Sequence, residues 1–281
     1  MTGRNVVIDG IDSKVVLNNG VELPYLGLGV YLLSSGYEAN EALIYALEIG
    51  YRLIDTASYY GNEYDIGKAV RESSIPREQI IVTTKLWNSD HGYDNAIKAY
   101  NESLKTLGLD YIDLYLIHWP VEGLRQDSWR ALEKLYEEGK CRAIGVSNYT
   151  IKHLQELLDQ SKTVPAVNQV EFSPFLYQEE LLKFCKEHGI QLEAYSPLTR
   201  GNKFSHKTVM RLAQKYQKTP AQILLRWALE HGVVVIPKSA NEKRIWENAN
   251  IFNFSLDEND MQLLNNLNEN YRVSWDPTYI V

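Results

Sequence analysis

Cysteine is nearly absent from this chain. Cys141 and Cys185 are the only two, which leaves no disulfide framework and no cysteine-based zinc site. No stretch of about 18 apolar residues occurs, so no membrane-spanning helix is expected. The first residues, Met1-Thr2-Gly3-Arg4-Asn5, lack the extended apolar segment of a signal peptide. Together these point to the cytoplasm, with no membrane partner. Positive charge is in deficit: 29 Lys and Arg stand against 36 Asp and Glu, a formal net charge of −7. A general nucleic-acid binder would carry a basic footprint. No nucleic-acid partner is therefore expected, although a local basic pocket is compatible with the total. Three motifs are missing as well. There is no Gly-x-Ser-x-Gly elbow, no His/Cys set at metal-ligand spacing, and no complete Gly-x-Gly-x-x-Gly. Leu26-Gly27-Leu28-Gly29 comes nearest to the last. It lacks the third glycine and does not run directly into a helix, as the dinucleotide-binding turn of a doubly wound sheet does. Serine hydrolysis, metal-dependent hydrolysis and a doubly wound sheet are thus the weaker readings, and no metal is expected.

What the chain does contain is a repeated unit. Hydrophobic residues make up 44% of its 281 positions, enough for a large core. That length suits one α/β barrel, which commonly takes about 250 residues. Residues 14–17 and 21–23 are short apolar runs around Asn18-Asn19-Gly20, a strong hairpin signal, and so short a hairpin is expected to act as a lid on something larger. A buried strand is expected at 26–29 and a helix at 38–49. Strands and helices then alternate: strand 53–55 with helix 63–73, strand 80–85 with helix 95–107, strand 112–118 with helix 128–138, strand 142–147 with helix 151–158. The series continues with strand 167–170 and helix 179–188, strand 191–195 and helix 208–216, and strand 233–236 and helix 242–250. Thr219-Pro220-Ala221-Gln222 opens a further helix as a capping box with proline in its first turn. A closing helix at 257–267 and an aromatic-bearing tail at 270–281 complete the chain. About eight continuous apolar strands, each followed by a helix, predict an α/β fold of the (β/α)8 barrel type. No linker or composition break divides it, so residues 1–281 read as one domain.

Polar residues recur at one end of these apolar strands: Asp55, Lys85, His118, Ser147-Asn148, Gln169, Tyr195-Ser196 and Lys238-Ser239. In a barrel those ends converge on the face where active sites are built. Singly, each has a plainer explanation: Asp, Ser and Asn cap helices, a lysine reaches solvent, and a histidine sits satisfied in a core. Their recurrence at the same end of successive strands favours a site. Asp55, Tyr60, Lys85 and His118 also make chemical sense together. A phenol with a pKa of about 10 is a poor proton donor near neutrality. A neighbouring ammonium would lower that value, and a carboxylate would keep the ammonium charged and in place. A neutral His118 could hold a carbonyl oxygen against the tyrosine hydroxyl.

With these residues in view, the chain resembles the aldo-keto reductase family from the N-terminal hairpin to the C-terminal tail. The resemblance is carried by Gly50-Tyr51-Arg52-Leu53-Ile54-Asp55-Thr56-Ala57 through Tyr60-Gly61-Asn62-Glu63, by Thr84-Lys85-Leu86-Trp87, and by the segment from Leu109 to Pro120 that contains His118. Gly145-Val146-Ser147-Asn148, Val167-Asn168-Gln169-Val170-Glu171 and the segment from Ile236 to Ile245 add to it. It is similar above all to short microbial and protozoal members that reduce small aldehydes and ketones.

The resemblance implies a metal-free barrel enzyme using NADPH/NADP+ and a small-molecule carbonyl substrate, such as a dicarbonyl, a sugar-derived or an aromatic aldehyde, and a monomer. Tyr60 would be the general acid, Asp55 and Lys85 its tuning pair, and His118 the carbonyl-orienting residue. Ser147, Asn148 and Gln169 would hold the nicotinamide amide, Tyr195 would stack on its ring, and Ser196 and Leu198 would lie along the pyrophosphate. Lys238, Ser239 and Arg244 would grip the adenosine 2′-phosphate, with Glu247 and Asn248 near the adenine. The chemistry of Arg and Lys suits that phosphate role. Tyr31, Trp87 and Trp119 would line the substrate pocket. Tyr31 stands where many relatives have tryptophan, and Phe172-Ser173-Pro174 also departs from the usual pattern. The rival expectation from another functional class is a cofactor-binding regulatory subunit that senses the nicotinamide state with little turnover.

Overall fold

The structure is a computed structural model describing residues 8–34 and 36–281; the signal-peptide reading of Met1–Asn5 concerns residues outside these. β1 (Lys14–Val16) and β2 (Glu22–Pro24) form the expected antiparallel hairpin. Its turn is closed by Gly20 N–H donating to Leu17 O. Asn18 donates to Pro165 O and Asn19 to Arg142 O, at the N-terminal ends of two barrel strands. The hairpin is therefore a lid, but on the end of the barrel opposite the strand C-termini.

Eight strands follow, all parallel and each bonded to its sequence neighbour: β3 (Leu28–Gly29), β4 (Leu53–Asp55), β5 (Ile81–Leu86), β6 (Ile112–Ile117), β7 (Cys141–Ser147), β8 (Val167–Glu171), β9 (Gln191–Tyr195) and β10 (Val234–Val235). The sheet closes on itself, because Gly27 N–H donates to Val235 O and Gly29 N–H to Pro237 O. This explains the glycines that failed as a nucleotide-binding turn. A Cβ on Gly29 would lie 2.7 Å from Ile236 O, so only glycine lets β3 approach the last strand. The architecture is a (β/α)8 barrel.

The helices wrap the outside: α1 (Tyr37–Glu48), α2 (Glu63–Glu72), α3 (Tyr93–Leu107), α4 (Arg125–Glu137), α5 (Ile151–Gln160), α6 (Glu179–Glu187), α7 (Lys207–Tyr216), α8 (Pro220–Glu230), α9 (Glu242–Ala249) and α10 (Glu258–Asn265). The anticipated capping box of α8 is present, with Thr219 and Gln222 bonding each other's backbone N–H. α4 begins three residues before the expected Ser128. Its first turn has no side-chain cap. It is held instead by tertiary contact, since buried Arg125 pairs with Glu156 of α5. Among the described residues, no helix is long and apolar enough to cross a membrane.

Candidate active site

The segment after β4 is built to aim one phenol. Asn62 donates to Val30 O at 3.0 Å and accepts from the Thr56 hydroxyl at 2.7 Å, both buried. This staple fixes the turn Ser58–Tyr60, which ends on Gly61 at a φ of 69°, a conformation that favours glycine. Tyr60 is thereby set over the barrel mouth. Beneath it, Lys85 is fully buried and donates to Asp55 Oδ1 at 2.7 Å and Thr56 O at 2.8 Å. Lys85 Nζ lies 3.5 Å from the Tyr60 hydroxyl. His118 follows β6 and meets the Tyr60 ring edge-on at a centroid distance of 5.7 Å.

The electrostatics differ from the simplest expectation at one point. The ammonium does not bring Tyr60 down: burial first, then Asp55, Tyr31 and Glu193, hold its pKa well above the ordinary tyrosine value. The reason is geometric. Lys85 spends its shortest contact on Asp55, so its charge is largely compensated before it reaches the phenol. Tyr60 is accordingly a neutral phenol. Burial, and secondarily Lys85, push His118 well below the usual histidine range, so its imidazole is neutral at physiological pH.

A cavity of about 900 Å³ opens over this set. Asp55, Tyr60, His118, Ser147, Asn148, Gln169, Tyr195, Ser196, Leu198, Lys238 and Arg244 all line it, together with Tyr31, Trp87 and Trp119. The amide end is tightly bonded. Asn148, held at a φ of 62°, donates to His118 O at 3.0 Å and accepts from Tyr195 OH at 2.8 Å. Gln169 donates to Asp55 Oδ2 at 2.7 Å. The far end has Lys238 after β10 and Arg244 in the first turn of α9, whose N-cap is Asn241. A helix N-terminus flanked by two cations is favourable to negative charge. Lys85 lies below the cavity floor. Ser239 is buried and bonds Asn241 N–H. Glu247 and Asn248 do not line the cavity: Glu247 accepts from Thr219 and Asn248 is buried.

A model of the aldo/keto reductase family matches residues 26–269. The chain belongs to that family. It is 51% identical to the glyoxal reductase of Bacillus subtilis (strain 168), covering 95% of this chain and 97% of that one. Among solved structures it resembles an aldo-keto reductase enzyme from a Medee basin deep-sea metagenome library, at a TM-score of 0.91 and 46% identity over 95% of this chain and 99% of that one. It also resembles a Bombyx mori aldo-keto reductase in complex with NADP, at a TM-score of 0.87 and 36% identity over 93% and 94% of the two chains.

Several residues of this aldo/keto reductase site escaped the strand-end reading. Tyr59 stacks on Trp87 at 3.8 Å, forming one wall. The tail supplies Val273, Ser274 and Trp275 to the cavity, with Trp275 tilted against Trp119 at 5.6 Å. The tail is held there by Glu171, at the end of β8, which accepts Val273 N–H at 2.7 Å and Ser274 N–H at 3.1 Å. No local pattern announces such contacts across about a hundred residues. Glu193, buried in the barrel, is different. Gln191, Glu193 and Tyr195 alternate along β9, and the period of two places them on one side; a carboxylate there was a readable signal. Among the described residues, no group of three or more His, Cys, Asp or Glu could hold a metal.

Proposed function

We propose that this protein reduces small aldehydes or ketones to alcohols with NADPH, Tyr60 acting as the proton donor. One observation carries the reading: Asp55, Tyr60 and a neutral His118, with Lys85 bonded to Asp55 beneath them, share one cavity with the cations Lys238 and Arg244. The residues present fit such a cofactor. Gln169, Ser147 and Asn148 offer acceptor oxygens for the N–H groups of a carboxamide, their own donors being engaged within the protein, and Tyr195 offers a flat face. Lys238 and Arg244 at the start of α9 suit a 2′-phosphate. When bound, NADPH supplies the hydride that reaches the carbonyl carbon. His118 orients the carbonyl oxygen toward the Tyr60 hydroxyl. Tyr60, with Lys85 Nζ 3.5 Å away, gives up its proton as negative charge develops on that oxygen. The aromatic walls formed by Tyr31, Tyr59, Trp87, Trp119 and Trp275 suit small apolar or planar carbonyl compounds. The identity to a glyoxal reductase supports dicarbonyls as first substrates to test.

The test is NADPH oxidation followed by absorbance with glyoxal, a sugar-derived aldehyde and an aromatic aldehyde in parallel. Turnover with at least one is expected. Tight NADPH binding without turnover on any of them would instead point to the regulatory class of function.

A further inference from the structure

Glu193 is a fully buried carboxyl in the barrel interior. It faces Gln169 across the β8–β9 register, and the Gln169 side-chain nitrogen donates to Glu193 Oε1 at 3.1 Å and to Asp55 Oδ2 at 2.7 Å. Both amide protons of Gln169 are thus engaged, so its carbonyl oxygen is the group left for other partners. The other oxygen of Glu193, Oε2, is buried with no partner among the described residues. Burying a half-satisfied carboxyl is costly, and a leucine would fill this place in an apolar barrel more cheaply. The cost needs a reason. The bonds trace one path through the barrel, from the Tyr60 hydroxyl to Lys85, Asp55, Gln169 and Glu193.

We propose that Glu193 is a positioning residue of the reduction site: by anchoring the Gln169 amide it fixes Asp55, and through Asp55 the Lys85 ammonium beside Tyr60. This rests on the carbonyl-reductase reading given above. The titratable groups facing Glu193 are Asp55 from β4, Lys85 from β5 and Tyr60 from the turn after β4. Burial first and then Asp55 push the Glu193 pKa up, against smaller pulls from Lys85 and Gln169. In its acid form Glu193 accepts the Gln169 proton without placing a second negative charge beside Asp55, where it would compete for Lys85.

Two conservative variants separate geometry from charge. Glu193→Gln keeps the length and the acceptor oxygen but has no charge; Glu193→Asp keeps the carboxyl one methylene short of Gln169. Wild-type turnover with NADPH and glyoxal is measured first, and its absence would sink the carbonyl-reductase reading rather than this inference. Given turnover, Glu193→Gln is expected to retain most of the wild-type kcat near pH 7, where Glu193 holds its proton. Glu193→Asp, with an unchanged far-ultraviolet spectrum, is expected to lose about tenfold or more in kcat, the scale on which small misplacements act. Near-normal kcat in Glu193→Asp, or equal losses in both variants, overturns the assignment. A second readout uses the cofactor-free protein. A carboxyl whose pKa rises on folding contributes stability below its unfolded value of about 4.3, and that contribution is lost as pH rises toward the folded pKa. The Tm of Glu193→Gln minus that of the wild type is therefore expected to climb with pH above that value. A difference independent of pH means an ionised Glu193 and overturns the assignment too.

Discussion

At Tyr60 two influences oppose one another, and distance decides between them. Lys85 is 3.5 Å from the phenol but 2.7 Å from Asp55, so burial and the carboxylates prevail and the phenol keeps its proton. Tyr60→Phe removes only the transferable proton. It is expected to lower kcat and kcat/KM together by about 10²–10⁴-fold, with NADPH affinity nearly unchanged. Tyr59→Phe retains the stack on Trp87 and is expected to cost far less; steady-state kinetics of the pair checks the assignment, and an inactive Tyr59→Phe beside an active Tyr60→Phe would reverse it. The pH dependence follows from the same environment. The proposed reduction requires Tyr60 protonated and His118 neutral. Tyr60 is shifted up and His118 down, so the two limits move apart. The kcat for reduction is expected to stay level from about pH 6.5, the ordinary histidine value, to about 8, where Glu193 ionises. A fall within that range, in a kcat–pH profile at saturating substrate, would contradict one of the two shifts.

Among the elements, the C-terminal tail is pinned by distant side chains: Arg125 and His153 bond its last residues, and Glu171 bonds the segment that reaches the cavity. Glu171 takes two successive tail N–H groups, and Trp275 comes to rest against Trp119. Glu171→Ala leaves two backbone donors without their acceptor, a loss of roughly 1.5–3 kcal/mol for each bond to a charged group. The expected result is a substrate KM raised about tenfold or more, with a smaller effect on kcat, because Tyr60, Lys85 and His118 are carried by other elements. An unchanged KM would show that the tail does not shape the pocket. Elements of this kind divide by legibility. The capping box at Thr219 and the Asn-Gly turn of the hairpin are local chemistry and were readable from adjacent residues. The start of α4 was not, because its first turn is held by the Arg125–Glu156 pair rather than by a cap.

On the scale of the whole molecule, the cavity runs from the Tyr60 set to Lys238 and Arg244, and the proposed preference for NADPH belongs to that far end. Arg244→Ala would remove the proposed charge-assisted contact to the 2′-phosphate, a contact worth roughly 1.5–3 kcal/mol. It is expected to raise the KM for NADPH about tenfold or more while leaving that for NADH nearly unchanged. Equal effects on both cofactors, in parallel titrations, would remove the 2′-phosphate from this position. The sequence by itself determined the order of strands and helices, the barrel class and the polar residues at strand ends. These depend on periodicity and on one residue per strand, which are local properties. Tertiary structure alone decided which way Tyr60 titrates, that Leu26-Gly27-Leu28-Gly29 closes a barrel, that Gln169 joins Asp55 to Glu193, and that the tail walls the pocket. Each of those depends on distances between residues far apart in the chain, and electrostatic and hydrogen-bond energies are set by such distances.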